Sequence, residues 1–238
     1  MDPTKKIVIT NHTDKFVEWY HILTEYGYTK DDVVIYDRDD ERFNGVNLDP
    51  ARFEQYGTII KSPNVGYGIY DCGRYIYDNY DNLPDFMIFI KCNLLQNHYT
   101  TRKRFEYALN ANFFVPIDAN PVENFYNSPL FVNDGTYVEK VTDIICPNTK
   151  VYPRIKNFEE FIRDLFVMER IPDYLLFAPG GNYVVPKQNM LKYSKNFYKK
   201  MMVYTDYHHS DVQEAHWFER ILTMAWQGCL EENFSHIV

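Results

Sequence analysis

The sequence predicts an α/β fold: a Rossmann-like, mixed but mostly parallel sheet flanked by helices. Three observations carry this. Short β-branched runs alternate with stretches of helical period at the spacing of β-α-β units. One run, Phe86 to Ile90 (FMIFI), is apolar throughout, as strands covered on both faces are. The 238 residues are 45% hydrophobic, enough for one sizeable core, and show no internal repeat or low-complexity linker. The chain therefore reads as one domain over 1–238, with a nucleotide-binding-like half at about 1–112 and a second half at about 113–228.

Lys6 to Thr10 (KIVIT) is a buried strand by pattern. The run from Lys15 to Tyr26 is amphipathic, with Phe16, Tyr20, Ile22 and Leu23 on one side. Thr13 or Asp14 can cap it and Gly27 ends it. Asp31 to Tyr36 is the second strand and Thr58 to Lys61 (TIIK) the third. Asn64-Val65-Gly66 turns into a helix from about Gly68 to Asn79, and Asn82-Leu83-Pro84 breaks it before FMIFI. Residues 113–156 are turn-rich and predict short strands in an irregular lobe. Helices follow at Phe158–Met168, Lys187 to about Met202, and about Asp211 to Trp226. Between the first two of these lies LLFAPGGNYVVP. Gly180-Gly181 suits a tight hairpin turn, or a place where something approaches the backbone closely.

Composition excludes several classes. The formal charge of −8 argues against nucleic-acid binding, which needs a basic face. Thr101-Arg102-Lys103-Arg104 and the Lys192 to Lys200 region read as solvated helix faces. No run of eighteen apolar residues is present, so no membrane span is expected, and MDPTKKIVIT lacks a secretory core. Four cysteines without a CxxC pair read as reduced thiols of a cytoplasmic protein. The 21 tyrosines read as composition bias more than as stacking platforms.

In open α/β sheets, ligands bind beyond the carboxyl ends of the strands. Four pieces fall there: Asn11-His12-Thr13-Asp14, Asp37-Arg38-Asp39-Asp40, Asn64-Val65-Gly66 and Lys91-Cys92-Asn93. Each has a plainer reading as a cap, a polar loop, a turn, or a lysine reaching solvent. Asp37 suits a ribose or base, and Gly66 can present backbone N–H groups to a phosphate at a helix start. Lys91 can offer its charge to a phosphate, with His98 nearby in sequence. A divalent cation would need carboxylates. Asp37 and Asp39 have the spacing, but the stretch after FMIFI has none. The last helix carries Glu214, His216, Glu219 and Arg220 within seven residues, with His216 and Glu219 on one face. Asp211 and Glu214 fit a capping box, and Glu214 is also placed for a general base.

Asn64-Val65-Gly66, then Tyr77-Asp78-Asn79-Tyr80-Asp81-Asn82-Leu83-Pro84-Asp85 before the buried strand, resembles an uncharacterised glycosyltransferase-like domain family. Gly180-Gly181-Asn182 followed by Ala215-His216-Trp217-Phe218-Glu219-Arg220 is similar to glycosyltransferases of the rhamnan-synthesis type. The resemblance spans most of residues 6–226. The family's Arg-Glu pair is Tyr67-Gly68 here, and Arg74 is the nearest substitute.

The resemblance implies a single-domain GT-A-like fold in polysaccharide biosynthesis, taking a nucleotide-sugar donor and a glycan acceptor. It implies an Mn²⁺ or Mg²⁺ requirement or none, and no organic cofactor. On this reading Asn11, His12, Asp14, Asp37, Asn64, Gly66, Arg74, Lys91 and Asn93 line the donor side. Gly180, Gly181, Asn182 and Arg220 line the acceptor side. Glu214 is the base, and His216 and Glu219 position the reactants. The alternatives are a non-catalytic glycan-binding protein on a decayed transferase fold, and a metal-dependent phosphodiesterase using Asp37, Asp39 and Asp40.

Overall fold

The computed structural model describes residues 3–39, 50–97, 100–118, 131–132, 136–141, 155, 157–206 and 212–234. The first half builds β1 (Lys5–Asn11), α1 (Phe16–Glu25), β2 (Val33–Asp39), β3 (Thr58–Pro63), α2 (Tyr67–Asp78) and β4 (Phe86–Lys91). Then come α3 (Leu94–Asn97), α4 (Arg102–Asn110), β5 (Val115–Pro116), β6 (Phe131–Val132) and β7 (Thr136–Lys140). The second half adds α5 (Phe158–Leu165), β8 (Phe166–Val167), β9 (Tyr174–Phe177), β10 (Tyr183–Pro186), α6 (Lys187–Met190), α7 (Lys195–Thr205), α8 (Gln213–Gln227) and β11 (Glu231–Glu232).

Six strands form the main sheet in the order β3-β2-β1-β4-β10-β5. The first four are parallel, and β10 runs antiparallel between β4 and β5. The α/β, mostly parallel expectation therefore holds. Alternation along the strands sends side chains to opposite faces. Ile7, Ile9, Val33, Ile35, Ile88 and Ile90 pack with Phe16, Trp19 and Leu23 of α1 and with Phe105 and Leu109 of α4. Val8, Tyr36, Met87, Phe89, Tyr183 and Val185 pack with α2, α5, α7 and α8 on the other face. Two cores on one sheet explain why β4 is apolar from Phe86 to Ile90 and β1 from Ile7 to Ile9.

Local chemistry departs from the sequence reading at four places. Neither Thr13 nor Asp14 caps α1. Lys15 is its N-cap, without a side-chain bond, and Asp14 sits in a left-handed conformation at φ 60°. The expected helix from Lys187 to Met202 is two helices. Ser194 starts the second by accepting from the Phe197 N–H at 3.3 Å, and Glu232 holds Ser194 in turn. The helix expected over Phe158–Met168 stops at Leu165, because Phe166–Val167 pairs with Glu231–Glu232 as strands. The last helix begins at Gln213 with Val212 as N-cap, and Asp211 lies outside the described residues.

LLFAPGGNYVVP is not a hairpin. β9 pairs with β7 in a second, three-stranded sheet, while β10 belongs to the main sheet. The Pro179–Gly181 turn passes the chain between the two sheets, with Gly180 at φ 90° and Gly181 at φ 69°. Glycine adopts two successive residues of this hand without a Cβ penalty. Cys72, Cys92 and Cys229 are free thiols, the first two buried and the third exposed. No described helix is long and apolar enough to cross a membrane.

Candidate functional site

The parallel strands end together, and their carboxyl ends carry the polar residues. Asn11 ends β1 beside Asp37 of β2, in register. Its amide donates to Asp37 at 2.8 Å and to Asp14 at 2.9 Å, while its Oδ1 accepts the Asp14 N–H at 3.0 Å. Arg52 closes the group, with an Nη 2.8 Å from the Asp14 carboxylate and its guanidinium over the Phe53 ring. Asn11 is fully buried, so its bonds hold Asp37 and Asp14 in fixed positions. His12, half-buried on the same turn, places Nδ1 3.3 Å from the buried Cys92 sulfur at the end of β4.

A second group surrounds Lys91. The first turn of α2 opens with Gly66 at φ 56° and Tyr67 at φ 49°. A positive φ is uncommon for a tyrosine and locates local strain. Arg38 holds the turn, because its guanidinium donates to the Tyr67 carbonyl and to Asp71 at 2.9 Å. Ser62 donates to the other Asp71 oxygen at 2.6 Å. The Lys91 stem runs past Gly68, where an added Cβ would meet Lys91 Cε and Thr10 Oγ1 at 3.5 Å. Its ammonium lies 5.6 Å from the Tyr67 ring centroid.

From Tyr67 the contacts continue round a circuit. The Tyr67 ring meets the His216 ring edge-on at 5.2 Å. His216 Nδ1 lies 3.9 Å from Glu219, whose other oxygen accepts the Gly180 N–H. Beyond Gly180 comes Asn182, fully buried, whose Oδ1 accepts the Lys91 backbone N–H at 2.7 Å. The Asn182 amide nitrogen donates to Asp118 just past β5, and more weakly to the Gly180 carbonyl at 3.4 Å. Asp118 has no exposure, and burial pushes its carboxyl up to about 7. The Asn182 hydrogen bond and the Lys91 charge pull the other way, and the Glu219 charge adds to the rise.

The sequence-predicted residues thus divide. Asn11, His12, Asp14, Asp37, Gly66, Lys91, Gly180, Gly181, Asn182, His216 and Glu219 gather at this edge. Asn64 lies in the turn just before Gly66, and Asn93 follows β4 with a buried Oδ1 that has no hydrogen-bond partner among the described residues.

The others stand differently. Arg74 lies two turns along α2, stacked over Tyr36 at 5.4 Å and donating to the Lys61 carbonyl at 3.0 Å, so it binds helix to sheet. Arg220 faces β7, 3.2 Å from Glu139 and over the Phe177 ring, and its Nη1 also lies 3.6 Å from Glu219. Glu214 is fully buried in the first turn of α8. Within the gathered group, the Asn182 side chain is engaged by the Lys91 N–H and by Asp118. Asp39 is the last residue of β2, while His98, Asp40 and Asp211 lie outside the described residues.

Among the described residues, no three His, Cys, Asp or Glu side chains are arranged to hold a metal ion. Sequence reasoning passed over Asp118 and Arg52, which stand in no motif, and named Tyr67 and Cys92 without giving either a role.

The fold and site define a mixed α/β protein with a charged, aromatic-lined cluster at the carboxyl edge of a mostly parallel sheet. Residues 7–236 match the family described as "Protein of unknown function (DUF3431)", and the chain belongs to that family. No curated protein and no solved structure matches it.

Proposed function

We propose that the protein is a glycosyltransferase that moves a sugar from a nucleotide-sugar donor to a hydroxyl of a glycan acceptor. The observation that carries this reading is the circuit Lys91–Tyr67–His216–Glu219–Gly180–Asn182, set beside the Asn11–Asp37 pair at the carboxyl edge of the sheet. A nucleotide fits such an edge, with a strand-end carboxylate accepting from its ribose. Asp37 suits that role because Asn11 fixes it. The diphosphate would lie toward Lys91 and the first N–H groups of α2, where a cation and a helix start both favour negative charge. Charge grows on the departing nucleotide, so the same groups stabilise the transition state.

The acceptor hydroxyl must lose a proton. His216 is the partly exposed base at this edge, with Glu219 3.9 Å from its Nδ1. The buried Glu214 is less well presented. Among the described residues, no three His, Cys, Asp or Glu side chains form a ligand set for a divalent cation.

A panel of UDP-, GDP-, CMP- and dTDP-sugars in a thermal-shift assay, with Mn²⁺ and with EDTA, tests the reading. A ligand of the native state raises the melting temperature by mass action. One responsive nucleotide class supports the transferase and names the base. Silence across the panel removes it. Tyr67-Gly68 in place of the family's Arg-Glu pair favours a second reading, binding without turnover. A nucleotide sugar that binds yet is never consumed over a wide acceptor panel would select that one.

A further inference from the structure

We infer that Asp118 is a positioning residue that acts through Asn182 on the end of β4 and on the Pro179–Gly181 turn. This rests on the reading of this edge as the substrate site. Asp118, Asn182 and Lys91 stand at the ends of three adjacent strands, β5, β10 and β4. One amide bridges them, with Nδ2 on the Asp118 carboxylate and Oδ1 on the Lys91 N–H. The Asn182 carbonyl adds a bond from the Ile117 N–H at 2.9 Å, so both sides of Asn182 are tied to the β5 end. On the far side of the turn, Glu219 of α8 holds the Gly180 N–H. The glycine turn and the Lys91 backbone are therefore fixed from two directions.

The choice of an acid here has a physical consequence. An asparagine could accept from the Asn182 amide without carrying charge into the interior. An ionised Asp118 instead makes a charge-assisted bond, polarises the amide, and strengthens its grip on the Lys91 N–H. When Asp118 is protonated, that grip relaxes. The groups that bear on its proton are Lys91 from β4, which favours ionisation, and Glu219 from α8, which opposes it. Tyr183 of β10 is coupled to both acids, and Arg104 of α4 donates to the Pro116 carbonyl two residues away. The midpoint near 7 lets the clamp tighten and relax around neutral pH.

The test is an amide titration of the whole chain by NMR between about pH 5 and about pH 9, which brackets the shifted carboxyl. The Lys91 and Gly180 backbone amides and the Asn182 side-chain amide should move together with one midpoint near 7. That shared step should vanish in Asp118→Asn. Absence of a common step in the wild type, which needs no variant to fold, would overturn the inference, as would its survival in the variant.

A stability measurement separates positioning from a structural role. Asp118→Asn should melt no lower than the wild type at pH 8 while turnover falls roughly tenfold. A structural acid would show a lower melting temperature. Failure of the transferase reading looks different: the amides still titrate together, but no nucleotide sugar binds.

Discussion

At residue scale the strain is concentrated in Gly66 and Tyr67, consecutive residues with φ of 56° and 49°. Gly66 is also walled in. An added Cβ would stand 2.4 Å from Thr205 Cβ on α7. Gly66→Ala therefore meets a left-handed backbone and a collision at once, and should cost about 1–3 kcal/mol. Urea denaturation measures this, and a loss under about 0.5 kcal/mol, the usual range of a neutral surface change, would show that the turn relaxes freely. Lys91 makes the complementary case. Lys91→Met keeps an apolar stem against Gly68 and discards only the charge. Stability should change by less than about 0.5 kcal/mol, while affinity for a responsive nucleotide sugar falls about 10- to 100-fold. Titration calorimetry would reveal it, and unchanged affinity would take Lys91 out of the anion site.

At element scale the position of α2 depends on a buried ion pair. Arg38 and Asp71 have side chains 3% and 0% exposed, and Asp71 also takes the Ser62 hydroxyl. The pair ties the first turns of α2 to the ends of β2 and β3. Arg38→Met leaves a buried carboxylate uncompensated and should destabilise by about 3–5 kcal/mol. The double variant Arg38→Met, Asp71→Leu should recover much of that loss, and a denaturant series on both proteins checks the pair. The alternation and helical period of the first half made β1 to β4, α1 and α2 legible, because those patterns are local. The Asn11, Asp37 and Lys91 positions followed from strand ends alone. Partners were not legible. Gly180-Gly181 announces a turn, yet whether its flanks pair with each other or with distant strands depends on residues far away in sequence. Asp118 follows a strand of two residues with no period, so its burial and its bond to Asn182 exist only once β10 lies between β4 and β5.

At the scale of the whole molecule, Asp118 couples folding to pH. In the unfolded chain its carboxyl returns to the ordinary value of 3.8, whereas burial raises it to about 7 in the fold. Between those values the folded protein keeps a proton that the unfolded chain has already released. The native state binds more protons there, so stability falls as pH rises through the window. The contribution is complete below the unfolded value and lost once pH passes the folded one. Its full span is on the order of 4 kcal/mol, with the opposing pull of Lys91 and the Asn182 bond already included in the shift. Equilibrium unfolding at a series of pH values should give the wild type a decline toward neutral pH that Asp118→Asn lacks. Other carboxylates contribute equally to both proteins, so the difference between the two curves isolates Asp118. A flat difference would mean that Asp118 ionises in the fold as readily as in the unfolded chain. The burial account of the site's central acid would then fail, while the Asn11–Asp37 and Lys91–Tyr67 contacts would stand on their own geometry.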